Sequence, residues 1–209
     1  MNSYLLNFNV LPNDKLIKDM KTYATKEKVP IINDEGLSFL LFMIRIKKVK
    51  RILEIGTAIG FSAINMALQD EEIEIDTIER NDIMYQEALK NVKKAKMEKR
   101  IHLHFGDALT ISHDNFMKEY DLIFIDAAKA QYVKFFTLYE PFLAKDGLIF
   151  TDNLLFHGLV NQSEKIESKR LKNLVLKIEN YNEWLSQNEN YKTTFFSVGD
   201  GIAVSVKKV

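Results

Sequence analysis

Cysteine is absent from all 209 residues, which excludes disulfides, thiolate zinc sites and a thiol nucleophile. Prolines number three and glycines eight, too few and too dispersed to form a Gly/Ser/Pro linker. With no linker, internal repeat or low-complexity tract, one domain is expected over residues 1–209. It would comprise an N-terminal helical extension (1–47) ahead of a core (48–209). Neither sign of charge is in excess, since 29 Lys and Arg face 29 Asp and Glu. A strongly basic nucleic-acid binder is therefore not indicated, although a local basic face stays open. No apolar run reaches the roughly 18 residues that span a bilayer, so no membrane partner is expected. Met1-Asn2-Ser3-Tyr4 lacks the basic and apolar regions of a secretory signal, and a cytoplasmic protein is the expectation. What remains, 46% hydrophobic and 28% charged, suits a globular chain with one sizeable core.

Pro12-Asn13-Asp14 reads as a helix start, followed by Leu16, Ile17, Met20, Tyr23 and Ala24 at helical spacing. Val29-Pro30-Ile31-Ile32 breaks that pattern, and Asn33 or Asp34 caps a second helix through Leu37, Leu40, Leu41 and Ile44. From Lys50 the chain alternates. Strands are expected at Arg51–Ile55, Ile73–Ile78, Ile101–Phe105, Leu122–Ile125 and Leu148–Phe150, with helices near Ser62–Leu68, Ile83–Ala95 and Tyr132–Leu143. Such alternation implies βαβ units and a parallel sheet covered on both faces. A long amphipathic helix, Glu164–Gln187, precedes two further strands, Thr193–Val198 and Ile202–Val206. They are joined at Gly199-Asp200-Gly201, a hairpin-type turn signal.

Two apolar runs stop on acids: Asp121–Ile125 runs into Asp126, and Gly147–Thr151 into Asp152-Asn153. As neighbouring parallel strands they deliver two carboxylates and an amide to the carboxyl edge of a sheet, where open α/β sheets bind ligands. Oxygen-only donors suit a hard cation such as Mg²⁺. Lys129 follows Asp126 by three residues and brings an amine to the same place. Each Asp alone reads equally well as a helix cap; both together, with Asn153 and Lys129, favour the cation.

The loop Glu54-Ile-Gly56-Thr57-Ala-Ile-Gly60-Phe-Ser62 lets the backbone turn tightly and approach a ligand closely. It lacks the three-glycine dinucleotide spacing. The second strand ends on Glu79, where an acid holds the ribose hydroxyls of an adenosine ligand. Gly106-Asp107-Ala108 closes the third strand, beside an expected adenine edge.

These features together, Glu-x-Gly-x-x-x-Gly, an acid ending strand two, Gly-Asp-Ala after strand three and a terminal hairpin, resemble the class I S-adenosylmethionine-dependent methyltransferases. Asp126-Ala-Ala-Lys129 and Thr151-Asp152-Asn153 narrow the resemblance to the cation-dependent O-methyltransferases of the catechol and caffeoyl-CoA type. Within that group the chain is most similar to bacterial enzymes methylating 5-hydroxyuridine at the tRNA wobble position. Asn153–Val160, Tyr181-Asn-Glu-Trp184 and Val198–Gly201 also match. The resemblance implies a Rossmann-like α/β fold: a seven-stranded, mostly parallel sheet with an antiparallel C-terminal hairpin and helices on both faces. It implies S-adenosylmethionine held by Ile32, Glu54, Gly56, Thr57, Gly60, Ser62, Glu79, Gly106, Asp107, Ala108 and Asp126. It further implies Mg²⁺ or another divalent cation on Asp126, Asp152 and Asn153, with Lys129 as general base or oxyanion stabiliser, and a homodimer.

A free lysine amine is protonated at neutral pH, so base work requires a nearby cation and partial burial. His157 is expected to contact the acceptor, whereas His102 and His104 lack zinc-site spacing and read as surface or packing residues. Of the basic clusters, the one spanning Lys165–Lys172 follows the site loop, and Lys169 and Arg170 are candidates for RNA phosphates. The expected partner is a tRNA anticodon loop, whose splayed bases need no unwinding. A catechol-like small molecule is the alternative. A non-catalytic nucleotide-binding module would need neither Lys129 nor Asp152-Asn153.

Overall fold

Asp14 opens the first helix as its position suggests. Its side chain accepts from Ile17 N at 3.1 Å, starting α1 (Lys15–Glu27). Asn33, not Asp34, caps α2 (Asp34–Lys47), accepting from Gly36 N at 2.8 Å. The structure is a computed structural model and describes Tyr4 and residues 8–208. The alternating region forms β1 (Arg51–Ile55), α3 (Phe61–Ala67), β2 (Glu74–Glu79), α4 (Asp82–Lys94), β3 (Ile101–Phe105), β4 (Tyr120–Ile125), α5 (Tyr132–Tyr139) and β5 (Leu143–Thr151). The chain then makes α6 (Lys169–Ser186), β6 (Tyr191–Phe196) and β7 (Ile202–Lys207).

The seven strands lie in the order β3-β2-β1-β4-β5-β7-β6. β1 to β5 are parallel, and β7 is antiparallel to both β5 and β6. The period-two alternation of strand residues splits the core. Ile52, Leu122, Phe124, Leu148 and Phe150 face one side, packing with α1, α2, α3 and α4. Leu53, Ile55, Ile123, Ile125 and Ile149 face the other, against the aromatic faces of α5 and α6. Helices thus cover both faces of a Rossmann-like sheet. After β3 the chain returns to lay β4 beside β1, so strand order reverses between them and their following loops part. That divergence opens a crevice at the carboxyl edge.

Three boundaries differ from the sequence expectation by four or five residues, the others by less. The helix expected to reach Leu143 stops at Tyr139, because Pro141 supports a 3₁₀ turn over Glu140–Phe142 and has no N–H to continue an α-helix. β5 then begins at Leu143, five residues earlier than expected, with Lys145 and Asp146 exposed within it. Polar residues there conceal the strand pattern. α6 starts at Lys169 instead of Glu164, because Ser168 caps it by accepting from Leu171 N.

Candidate active site

Strand register brings the candidate residues together. Ile55 pairs with Ile125, and Ile125 with Thr151, so Gly56, Asp126 and Asp152 are the next residues on three adjacent strands. The ladder continues one step, with Asp126 N donating to Ile55 O at 3.0 Å and Asp152 N to Ile125 O at 3.3 Å. The loops pack so closely that a Cβ on Gly56 would overlap the carbonyl oxygen of Asp126. Gly56 has φ 109°, a conformation open to glycine.

A cavity of about 290 Å³ occupies the crevice. Ile32, Gly56, Thr57, Ser62, Glu79, Gly106, Asp107, Ala108 and Asp126 all line it, together with Lys129 and Asn153. Glu79 is held by two backbone donors, Ala58 N at 2.9 Å and Asn81 N at 2.7 Å. Gly60 lies outside the lining and N-caps α3 with φ 80°.

Glu54 is also absent from the lining, because its strand position turns it beneath the floor. It is fully buried, accepting from Thr77 Oγ1 at 2.5 Å, and Thr77 in turn contacts Thr57 Oγ1 at 2.6 Å. Its other oxygen makes no hydrogen bond of normal geometry, and Ser62 and Thr77 offset only part of the cost of burial. Burial, assisted by nearby Glu79, pushes Glu54 up to about 7. A raised carboxyl contributes stability that is complete below its unfolded value and is lost as pH rises through the folded one. Between 4.5 and about 7 that loss amounts to about 3 kcal/mol. The ligand-free Glu54→Gln variant should therefore gain thermal stability over wild type as pH goes from 5 to 8. Parallel melting-temperature profiles would refute this.

The two strand-tip acids do not cap helices. The turn after Asp126 begins at Ala128 without a side-chain cap, and Asp152 Oδ1 accepts from its own neighbour, Asn153 N, at 2.7 Å. Burial first, and then repulsion from Asp152, holds Asp126 well above the usual carboxylate range; Lys129 opposes the shift. Asp152 is raised by burial and by Asp200, and its Oδ2 is buried without a hydrogen-bond partner. Two desolvated carboxylates, one with an orphaned oxygen, fit a hard cation, which would hold both ionised. Among the described residues no group of three His, Cys, Asp or Glu side chains closes into a metal cluster; Asn153 is the third oxygen donor here. Tyr132, fully buried, donates to Asp152 O at 2.9 Å and fixes the strand tip.

Beyond Asp152 the backbone is strained. Asn153, Phe156, His157, Gly158 and Asn161 all have positive φ, and for a bulky residue such as Phe156 that is uncommon. Lys129 Nζ stands 5.9 Å from the centroid of Phe156, within cation–π range. His157 is exposed on this loop. Its N donates to Asp200 Oδ1 at 2.5 Å. Lys169 and Arg170 lie at the start of α6 in a separate groove of about 780 Å³, which reaches Ala130 beside Lys129. His104, on β3, bonds the buried Asp76 at 2.6 Å, a packing role away from the site. Asp200 and Phe156 carried no role in the sequence reading. The only signal for Asp200 was its place between two glycines, which reads as turn chemistry.

The profile of the O-methyltransferase family matches residues 10–208. The chain belongs to the O-methyltransferase family. It is an S-adenosylmethionine-dependent O-methyltransferase. It is 26% identical to caffeoyl-CoA O-methyltransferase from Stellaria longipes, over 97% of this chain and 88% of that protein. It is 27% identical to flavonoid 3',5'-methyltransferase from Vitis vinifera, over 98% and 92% respectively. A Staphylococcus aureus crystal structure, provisionally assigned as a caffeoyl-CoA O-methyltransferase, superposes with TM-score 0.92 at 39% identity, covering 99% of this chain and 98% of that one.

Proposed function

We propose that this O-methyltransferase acts with a divalent cation on an acceptor presenting two adjacent oxygens, and that the acceptor is 5-hydroxyuridine in a tRNA anticodon loop. The observation that carries the reading is continuity: Asp126, Lys129 and Asn153 belong to the lining of the cofactor cavity itself. When bound, S-adenosylmethionine would supply an electrophilic methyl group, and a cation on Asp126, Asp152 and Asn153 would orient the acceptor hydroxyl and lower its proton affinity. The protein's own contribution is placement. Glu79 and the Gly56 and Gly106 loops locate the donor, while the strand tips locate the acceptor, which replaces a bimolecular encounter with a held geometry. Lys129, steadied by the Phe156 ring, takes the hydroxyl proton or balances the oxyanion.

The groove beside Ala130 supports RNA. Lys169, Arg170 and Lys177 line it without an acidic residue, which suits a phosphate backbone. The names of the plant relatives favour a second reading, a catechol-type small acceptor. Labelled S-adenosylmethionine with Mg²⁺ and either undermodified bulk tRNA or catechol separates the two. Label is expected in tRNA; label in catechol alone would sink the RNA reading. The Lys169→Ala, Arg170→Ala double variant should weaken tRNA binding and flatten its salt slope by about 2, roughly one per lost phosphate contact. An unchanged slope would remove these residues from the interface.

A further inference from the structure

The Gly199–Gly201 turn is wedged from both sides. A Cβ on Gly199 would stand 2.7 Å from Asn33 Oδ1, and one on Gly201 2.8 Å from Leu155 N. Both have positive φ, 57° and 83°. From this position the turn holds the segment that follows the metal-site residues. Leu154 N donates to Gly201 O at 2.9 Å, Leu155 N to Asp200 O at 2.7 Å, and His157 N to Asp200 Oδ1 at 2.5 Å. One side chain from the other end of the chain grips the turn. Glu35, half-buried in the first turn of α2, accepts from Gly199 N at 2.9 Å across 164 positions.

We propose that Glu35 is a positioning residue for the methyl acceptor. Its carboxylate fixes Gly199, the turn fixes residues 154–157, and that segment sets how Asn153 and its neighbours meet the acceptor. A carboxylate accepting from a backbone N–H makes a strong, directional bond. The strained backbone of residues 153–161 lies outside regular secondary structure. From α6, Asn182 donates to Leu154 O at 3.2 Å and Glu179 accepts from Asn161 N at 2.7 Å, and the turn holds residues 154–157 from the other side. The wall of the cofactor cavity, Val29–Ile32, precedes α2 and takes no part in this bond. The larger effect is therefore expected on the acceptor, since Asn153 borders the cofactor cavity but residues 154–157 do not. This rests on the acceptor being seated at Asp152 and Asn153, as proposed above.

The test compares Glu35→Ala, Glu35→Asp and Glu35→Gln in the full chain, first by amide hydrogen exchange without any substrate. In Glu35→Ala, exchange should quicken about tenfold at Gly199, Leu154, Leu155 and His157, with the α2 and β4 amides unchanged. Glu35→Gln keeps an acceptor oxygen and should restore wild-type protection. Glu35→Asp, one methylene shorter, should resemble Ala. With undermodified tRNA or catechol as the acceptor probe, Glu35→Ala should raise the acceptor KM about tenfold and leave the S-adenosylmethionine KM within about twofold. Unchanged exchange at residues 154–157 would overturn the proposal. So would losses spread through α2 and the sheet with both KM values moving together, the signature of a purely structural role. If wild type methylates neither probe, the proposed function fails, and the exchange pattern still decides whether Glu35 holds the turn.

Discussion

Replacing Asp152 with Asn should stabilise the ligand-free protein while nearly abolishing methyl transfer. The opposition of these two effects is what makes the variant informative. Asp126 and Asp152 are both raised, chiefly by burial. Raised carboxyls favour the folded state at low pH and disfavour it as pH climbs through their folded values. At pH 8 the ligand-free protein therefore carries a charge penalty that an isosteric amide relieves. Asn can still accept from Asn153 N, leaving a neutral group where Oδ2 has no partner. An unpaired amide costs about 1–3 kcal/mol, less than a second desolvated charge beside Asp126. Activity should fall on the order of a thousandfold, since a Lewis-acid cation supplies several kcal/mol of charge stabilisation. Mg²⁺ should raise the melting temperature of wild type, more at pH 8 than at pH 6, and leave the variant unmoved. A variant that keeps its activity, or its stabilisation by Mg²⁺, would remove Asp152 from the cation site.

Much of this site was legible because the chemistry sits at strand ends. Ile101–Phe105 and Arg51–Ile55 were bounded to the residue, and the acid-tipped runs predicted neighbouring parallel strands. What escaped depends on contacts between distant segments. The sequence cannot show that Glu35 reaches Gly199, or that Asp200 accepts from His157 N, because those pairings exist only once the hairpin has folded across the sheet. Glu54 escaped for a different reason. A charge in a glycine loop motif suggests ligand contact, but its register opposite Thr77 places it under the cavity floor. The N-terminal half of β5 was hidden by Lys145 and Asp146, and the end of α5 by the 3₁₀ turn at Pro141.

Gly56→Ala should be the most damaging single substitution in the crevice, and the reason lies in backbone, not side-chain, contacts. The added Cβ would overlap Asp126 O and lie 2.8 Å from Asp126 C and 3.2 Å from Ala127 Cα. None of these atoms can rotate away. At φ 109° the alanine is also in a region that L-residues avoid. Relief requires parting the tips of β1 and β4, which breaks the Asp126 N to Ile55 O bond and displaces a proposed metal ligand and the cavity floor together. Stability should drop by about 3 kcal/mol or more, and S-adenosylmethionine and Mg²⁺ binding should both be lost. Gly60→Ala is the control. Its φ of 80° is also strained, but its Cβ would meet Ala88 at an ordinary 3.6 Å, so it should lose only about 1–2 kcal/mol and keep both ligands. Thermal denaturation and calorimetric titration of the two variants decide the matter. Equal effects would mean that glycine's conformational freedom alone accounts for Gly56. The expected divergence would show that the close approach of β1 and β4 is what joins the cofactor cavity to the proposed cation site.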